Sequence, residues 1–262
     1  MLVPILIACA VIAVISIIIG VGLSLLSEKF KSSIDPKEEQ LRAALAGSNC
    51  GGCGYAGCDA YAKAVIYDGA DPGLCVAADP AEISRILGVE VSGGKKKVAY
   101  VRCSGHCGKT GANYNFDDTQ DCRIAYLAPG HGSKKCPFGC CGFGTCAEVC
   151  PYDAIRIIDG LAVVDRQKCQ ACGKCVDVCP NKLIDIVPYD AMYLVRCSSK
   201  HKGKDVKNAC TEGCIGCGIC MRVCPVGAIS LTNNLARIDQ SKCIRCGTCA
   251  EKCPSKIIIK GV

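Results

Sequence analysis

The chain has 262 residues, 27 of them Cys against only 3 His and no Trp. About one Cys in ten marks a covalent or metal scaffold rather than an ordinary apolar-core domain. The formal charge of +7 counts every thiol as neutral, so it does not argue for nucleic acid as a partner.

From Val3 to Leu26 no residue is charged, and Ile, Val, Leu and Ala dominate. Such a run is long enough to cross roughly 30 Å of hydrocarbon as a helix. No basic residue precedes it, and it exceeds the roughly 7–15 apolar residues of a cleaved signal. Residues 1–27 therefore read as a permanent transmembrane anchor in contact with membrane lipid. Lys29 and Lys31 follow directly, which places the rest of the chain on the cytoplasmic side. A reducing cytosol disfavours a disulfide framework, and so does the odd cysteine count.

Residues 28–95 form a small helical module. Asp35-Pro36 with Glu38 and Glu39 signals a helix start, with Leu41, Ala44 and Leu45 on its apolar face. Cys50, Cys53, Cys58 and Cys75 follow in the spacing C-x2-C-x4-C-x16-C, with glycines that let the backbone curl tightly. Ala60, Tyr61, Ala64 and Val65 recur at helical spacing before Asp71-Pro72-Gly73 turns the chain toward Cys75.

The remainder is a duplication, 96–190 and 191–262. A shift of 74 residues carries Cys136, Cys140, Cys146 and Cys150 onto Cys210, Cys214, Cys220 and Cys224. The same shift carries Cys169, Cys172, Cys175 and Cys179 onto Cys243, Cys246, Cys249 and Cys253. Each copy opens with a strand ending in Val-Arg-Cys-Ser, at Val101–Ser104 and Val195–Ser198. These lie 94 residues apart, so the first copy holds about 20 extra residues, with Cys107 and Cys122 among them. A hairpin joins the cysteine runs of each copy. Ala154–Ile158 and Leu161–Val164 flank Asp159-Gly160, a strong two-residue turn signal, and Ala228–Leu231 and Leu235–Ile238 flank a looser turn at Asn233-Asn234.

Three runs read C-x2-C-x2-C-x3-C-P, at Cys169–Pro180, Cys214–Pro225 and Cys243–Pro254. This is the ligand run of bacterial two-cluster ferredoxins, in which the fourth Cys of one run serves the cluster of the other. Zinc instead favours two separated Cys pairs around one ion. The crossed rule assigns Cys214, Cys217, Cys220 and Cys253 to one cluster and Cys243, Cys246, Cys249 and Cys224 to another. In the first copy it assigns Cys169, Cys172, Cys175 and Cys150. The remaining site is irregular, because Phe143 stands where the second copy has Cys217. The expected set there is Cys136, Cys140, Cys146 and Cys179, with Cys141 as the rival of Cys140.

The whole is thus a small α+β protein. It has one transmembrane helix, one helical [4Fe–4S] module and two ferredoxin-like units (136–187 and 210–262), with about five [4Fe–4S] clusters on twenty cysteines. Each cluster adds about −2, so the loaded chain comes to about −3. Seven cysteines are left over: Cys9 in the span, and Cys103, Cys107, Cys122, Cys141, Cys197 and Cys210. Cys103, Cys107 and Cys122 together would make a further metal site without an evident fourth ligand.

The span, the C-x2-C-x4-C-x16-C module and the ferredoxin units together resemble the B subunit of Rnf complexes, the membrane-bound, ion-pumping ferredoxin:NAD+ oxidoreductases. The Cys50–Cys75 module is also similar to a small [4Fe–4S] domain of corrinoid iron–sulfur proteins. The resemblance implies a single-pass component of a bacterial plasma-membrane translocase. It would take electrons from soluble ferredoxin and pass them to other membrane subunits. The sequence shows neither a G-x-G-x-x-G strand–turn–helix nor a P-loop, so flavin, NAD and the transported ion are expected on those other subunits, and no substrate-converting site is expected here. An anchored ferredoxin component of a different redox enzyme, or a regulator that keeps a sensor protein reduced, fits the same cysteines.

Overall fold

The structure is a computed structural model that describes residues 15–17, 19–22, 35–91, 96–117 and 119–260. Most of the apolar run from Val3 to Leu26, and Cys9 with it, falls outside these residues. Among the described residues no helix is long and apolar enough to cross a membrane. Residues 15–17 and 19–22 are helical, and Ile15, Ile17, Ile19 and Val21 are each more than half exposed.

The N-terminal module is three short helices around a small core. Helix α1 (Pro36–Ala44) starts where Asp35 accepts the Lys37 N–H at 2.8 Å and Pro36 presets the first helical φ. Helix α2 (Cys58–Tyr67) buries Cys58, Tyr61, Ala62 and Ala64; Ala60, expected on that face, is exposed. Helix α3 (Pro80–Leu87), which the sequence reading did not include, has the same Asp-Pro start at Asp79-Pro80 and ends at Gly88 in the left-handed conformation. Leu41, Leu45, Tyr61, Ala62 and Ile83 meet at the centre. Tyr61 is 1% exposed and donates its hydroxyl to Asp71 O at 2.8 Å, tying α2 to the loop that brings in Cys75.

The two repeats share one topology. In the first, β1 (Lys97–Val101) pairs antiparallel with β4 (Ile184–Pro188), and β2 (Ile155–Ile158) pairs with β3 (Leu161–Val164). In the second, β5 (Tyr193–Val195) pairs with β8 (Ile258–Lys260), and β6 (Ile229–Thr232) pairs with β7 (Leu235–Ile238). Asp159 and Gly160 both have positive φ, and so do Asn233 and Asn234. The Asn-Asn turn, expected to be looser, is therefore a two-residue turn like its counterpart, since Asn tolerates the left-handed region.

Between strands lie helices of one or two turns. The first repeat has α4 (Cys122–Leu127) in its insertion, α5 (Thr145–Glu148) and α6 (Lys174–Val178); the second has α7 (Gly203–Ala209), α8 (Ile219–Arg222) and α9 (Thr248–Glu251). The backbone also folds tightly against the hairpins. A Cβ on Gly216 would stand 2.8 Å from Asn234 O, and one on Gly142 would stand 2.5 Å from Gly160 O. Those two glycines are equivalent under the 74-residue shift.

The cores are part apolar side chain and part sulfur. Val98, Ile155, Leu161, Leu183 and Ile184 pack with Cys146, Cys169 and Cys175 in the first repeat. Val195, Ile229, Leu235 and Ile258 pack with Cys214, Cys220 and Cys249 in the second. Each fully buried aliphatic side chain contributes roughly 1.5–3 kcal/mol, too little from so few to hold such short elements without metal.

Candidate iron–sulfur centres

Every cysteine among the described residues is a free thiol. Cys50, Cys53, Cys58 and Cys75 line one cavity of the N-terminal module. The Cys58 N–H donates to Asn49 Oδ1 at 2.8 Å, which fixes the loop ahead of α2. Cys214, Cys217, Cys220 and Cys253 line a second cavity, walled otherwise by Leu231, Ala236, Ile257 and Ile258.

Cys175 lies within electrostatic reach of Cys169, Cys172 and Cys150, and Cys249 within reach of Cys243 and Cys246. Cys224 accepts the Ala228 N–H at 3.3 Å, as Cys150 accepts the Ala154 N–H at 3.4 Å. Proline after the fourth cysteine turns the chain so that this N–H, four residues on, points back at sulfur.

At the irregular site the cavity lining departs from the expected set. Its cavity is lined by Cys122, Cys140, Cys141, Cys146 and Cys179. Cys136 is not among them. It lines a separate cavity with Cys103, Cys197 and Cys210. Cys122 takes hydrogen bonds from the backbone at Phe143 and Thr145, so its sulfur stands over the segment that carries Cys217 in the other repeat. The Phe143 ring is turned away and packs on Phe116 at 5.2 Å. Cys103, Cys107 and Cys122, grouped in the sequence, are thereby separated: Cys107 is exposed and donates its N–H to Asp159 O at 2.9 Å. No local spacing signals Cys122; only the gap at Phe143 hints that a ligand must arrive from elsewhere.

The electrostatics suit metal-bound thiolates. Burial, with neighbouring sulfurs adding to it, pushes Cys146 and Cys175 up to about 12, and Cys140 and Cys220 up to about 11. Such thiols release their protons to solvent only when a metal cation takes the sulfur, as iron would. Cys122 goes the other way, to about 5, because it accepts a hydrogen bond from Cys141 that outweighs its burial. Backbone N–H groups converge on the sulfurs: Cys169 accepts from Ala99 at 3.3 Å and Ala171 at 3.4 Å, and Cys179 from Leu183 at 3.4 Å. Among the described residues no three His, Cys, Asp or Glu side chains are close enough to hold a single metal ion. Four thiolates spread around a cavity fit a cubane cluster better than a tetrahedral zinc ion.

The sites adjoin one another. A Cβ on Gly52, between Cys50 and Cys53, would stand 3.0 Å from Cys172 Cα. Ser48 Oγ and Tyr152 Oη are hydrogen-bonded at 2.7 Å across the same contact. Cys146 lies within electrostatic reach of Cys175.

Comparison with known proteins finds iron–sulfur domains over the same stretches of the chain. Residues 168–228 and 213–257 match a 4Fe-4S dicluster domain, 45–77 a putative Fe-S cluster family, and 136–190 the LdpA Fe-S cluster-binding domain. The protein carries [4Fe–4S] clusters. The B subunit of the Na(+)-translocating ferredoxin:NAD(+) oxidoreductase complex of Acetobacterium woodii is 42% identical, over 92% of this chain and 74% of that one. The B subunit of an ion-translocating oxidoreductase complex of Methanosarcina acetivorans is 38% identical over 89% of each chain. Its counterpart in the proton-translocating ferredoxin:NAD(+) oxidoreductase complex of Clostridium ljungdahlii is 39% identical, over 88% of this chain and 83% of the relative. This chain belongs to the B-subunit family of ion-translocating, Rnf-type oxidoreductase complexes.

Proposed function

We propose that the chain is the electron-relay component of an ion-pumping ferredoxin:NAD+ oxidoreductase, taking electrons from reduced ferredoxin and delivering them to membrane subunits. A [4Fe–4S] cluster supplies one-electron oxidation and reduction at each cysteine site. The protein's part is to hold the sites and place them next to one another. The observation that carries this reading is the contact of Gly52 with Cys172, which sets the N-terminal module directly against a ferredoxin site.

The ligand sets are Cys50, Cys53, Cys58 and Cys75; Cys150, Cys169, Cys172 and Cys175; Cys214, Cys217, Cys220 and Cys253; and Cys224, Cys243, Cys246 and Cys249. The irregular site takes Cys140, Cys146, Cys179 and Cys122. Support for Cys122 is its place over Phe143, while Cys141 serves as its hydrogen-bond donor.

Residues 3–26 act as a single-pass anchor, with everything after them on the cytoplasmic face of the membrane. Support comes from the charge-free run and the exposed Ile15, Ile17, Ile19 and Val21. The N-terminal module is the output, because it follows the anchor most closely in the chain, and the second repeat receives ferredoxin. Flavin, NAD and the pumped ion, Na+ or H+, belong to other subunits.

Replacing Cys53 by Ser in the assembled complex tests this order. Ferredoxin should still reduce the second repeat while NAD+ reduction stops. Undiminished NAD+ reduction would contradict the proposal.

A further inference from the structure

Four cysteines outside those five sites meet in one cavity: Cys103, Cys136, Cys197 and Cys210. All four are free thiols. Cys136 lies within electrostatic reach of each of the other three. Gly105 closes one side of the group, where a Cβ would stand 3.5 Å from Cys103 Sγ and 3.6 Å from Cys210 Sγ.

The group is assembled from matched halves. Cys103 and Cys197 each follow the Val-Arg end of an opening strand, and Cys136 and Cys210 each stand four residues before the first cysteine of a ligand run. Each repeat thus contributes the same pair, and the cavity lies where the repeats meet. Around it Thr110 Oγ1 donates to Ala209 O at 2.8 Å, Ser198 Oγ donates to Arg102 O at 3.1 Å, and Lys109 pairs with Glu212 at 2.9 Å.

Each sulfur also receives the N–H two residues further on. Gly105 donates to Cys103 at 3.3 Å and Ser199 to Cys197 at 3.4 Å. The backbone at Phe138 and Glu212 serves Cys136 and Cys210. The same bond reaches Cys169 from Ala171 and Cys172 from Lys174 in a ferredoxin site. Such bonds spread the negative charge of a thiolate cluster and orient its ligands. On the same wall Arg196 Nε is buried without a hydrogen-bond partner. Lys134 lines the same cavity, with Nζ donating to Gly105 O and Gly160 O at 3.0 and 2.6 Å. Two cations set against four thiols fit a group of negative charge.

We infer that Cys103, Cys136, Cys197 and Cys210 bind a sixth [4Fe–4S] cluster between the two repeats. The inference rests on the reading of the other five sites as cluster sites. Its neighbours lie on both sides: Cys140 of the first repeat is within electrostatic reach of Cys103, and the Cys214 N–H of the second donates to Cys197 at 3.3 Å. The site thereby joins two groups of clusters that would otherwise face each other across an apolar and polar seam.

Native mass spectrometry of the full chain, purified without oxygen, with iron and sulfide analysis, tests it. The expected result is six clusters and about 24 irons per chain. The double variant Cys103→Ala/Cys197→Ala should lose one cluster and about four irons while keeping the visible absorption of the rest. Cys107→Ser should lose none. Five clusters in the unaltered chain, unchanged in the double variant, would overturn the inference and leave the five-site reading standing. If the double variant takes up no cluster at all, the count in the unaltered chain still decides, six for the inference and five against. An unaltered chain without clusters would instead remove the reading on which the inference rests.

Discussion

The two repeats answer the same structural problem with different residues. In the second, Gly216 tucks under the Asn233-Asn234 turn and Cys217 follows it into the cavity with Cys214, Cys220 and Cys253. In the first, Gly142 tucks under Asp159-Gly160 in the same way, but Phe143 follows it and turns outward onto Phe116. Sulfur then arrives from Cys122, at the start of α4 in the insertion, capped by Asp121 and held by the Cys122 N–H to Thr145 Oγ1 at 2.9 Å. The close approach of loop and hairpin is thus what the two copies keep in common, while the cysteine that lines the cavity beside it differs. As the proposed ligand, Cys122 would tie the insertion to the site, which a local cysteine does not.

The difference between the copies can be probed at several depths. Removal of iron with a chelator under reducing conditions should have the largest effect, unfolding both repeats together, since their apolar cores are small and metal ligation is what ties the cysteine loops of each repeat together. Circular dichroism that retained the native signal in the iron-free chain would show that the cores stand by themselves. Next is Cys122→Ala against Cys141→Ala. The first should cost one cluster, about four irons, and the second should leave the iron content unchanged; the reverse would make Cys141 the ligand.

Smaller still are Gly142→Ala and Gly216→Ala. Each puts a methyl group against a carbonyl oxygen at positive φ and should destabilise its repeat by about 1–3 kcal/mol, read as a lower midpoint in thermal unfolding of the loaded protein. Equal losses are expected if the two approaches are equivalent. Smallest is Ser48→Ala, which removes the hydrogen bond to Tyr152 at 2.7 Å and should cost about 0.5–1.5 kcal/mol. It should raise hydrogen exchange at the module's contact with Cys172 and leave the second repeat unaffected.

What could be read from the residues alone was what is local in the chain. The C-x2-C-x2-C-x3-C-P runs and the Asp159-Gly160 turn act over a few residues, so spacing suffices for them. The repeat made the gap at Phe143 visible, but nothing near it pointed to Cys122, because that cysteine comes from an insertion with no counterpart in the other copy. Cys136 was drawn into the irregular site by proximity in sequence. In the fold its partners are Cys103, Cys197 and Cys210, and their association depends on how two repeats pack, which no short-range pattern encodes. Helix α3 was signalled by Asp79-Pro80, a start as clear as that of α1, and by the stop at Gly88. The pairing of β1 with β4 and of β5 with β8 brings together the two ends of each repeat and was legible only after folding.

The proposed relay from the second repeat to the N-terminal module requires one unbroken series of cysteine sites. The most direct measurement is freeze-quench electron paramagnetic resonance of the complex after mixing with reduced ferredoxin, comparing the unaltered protein with Cys103→Ala/Cys197→Ala. In the variant the second repeat's signals should appear at the normal rate, while those of the first repeat and the module stay absent or rise many times more slowly. Signals from the first repeat that rise as fast as in the unaltered complex would contradict the account.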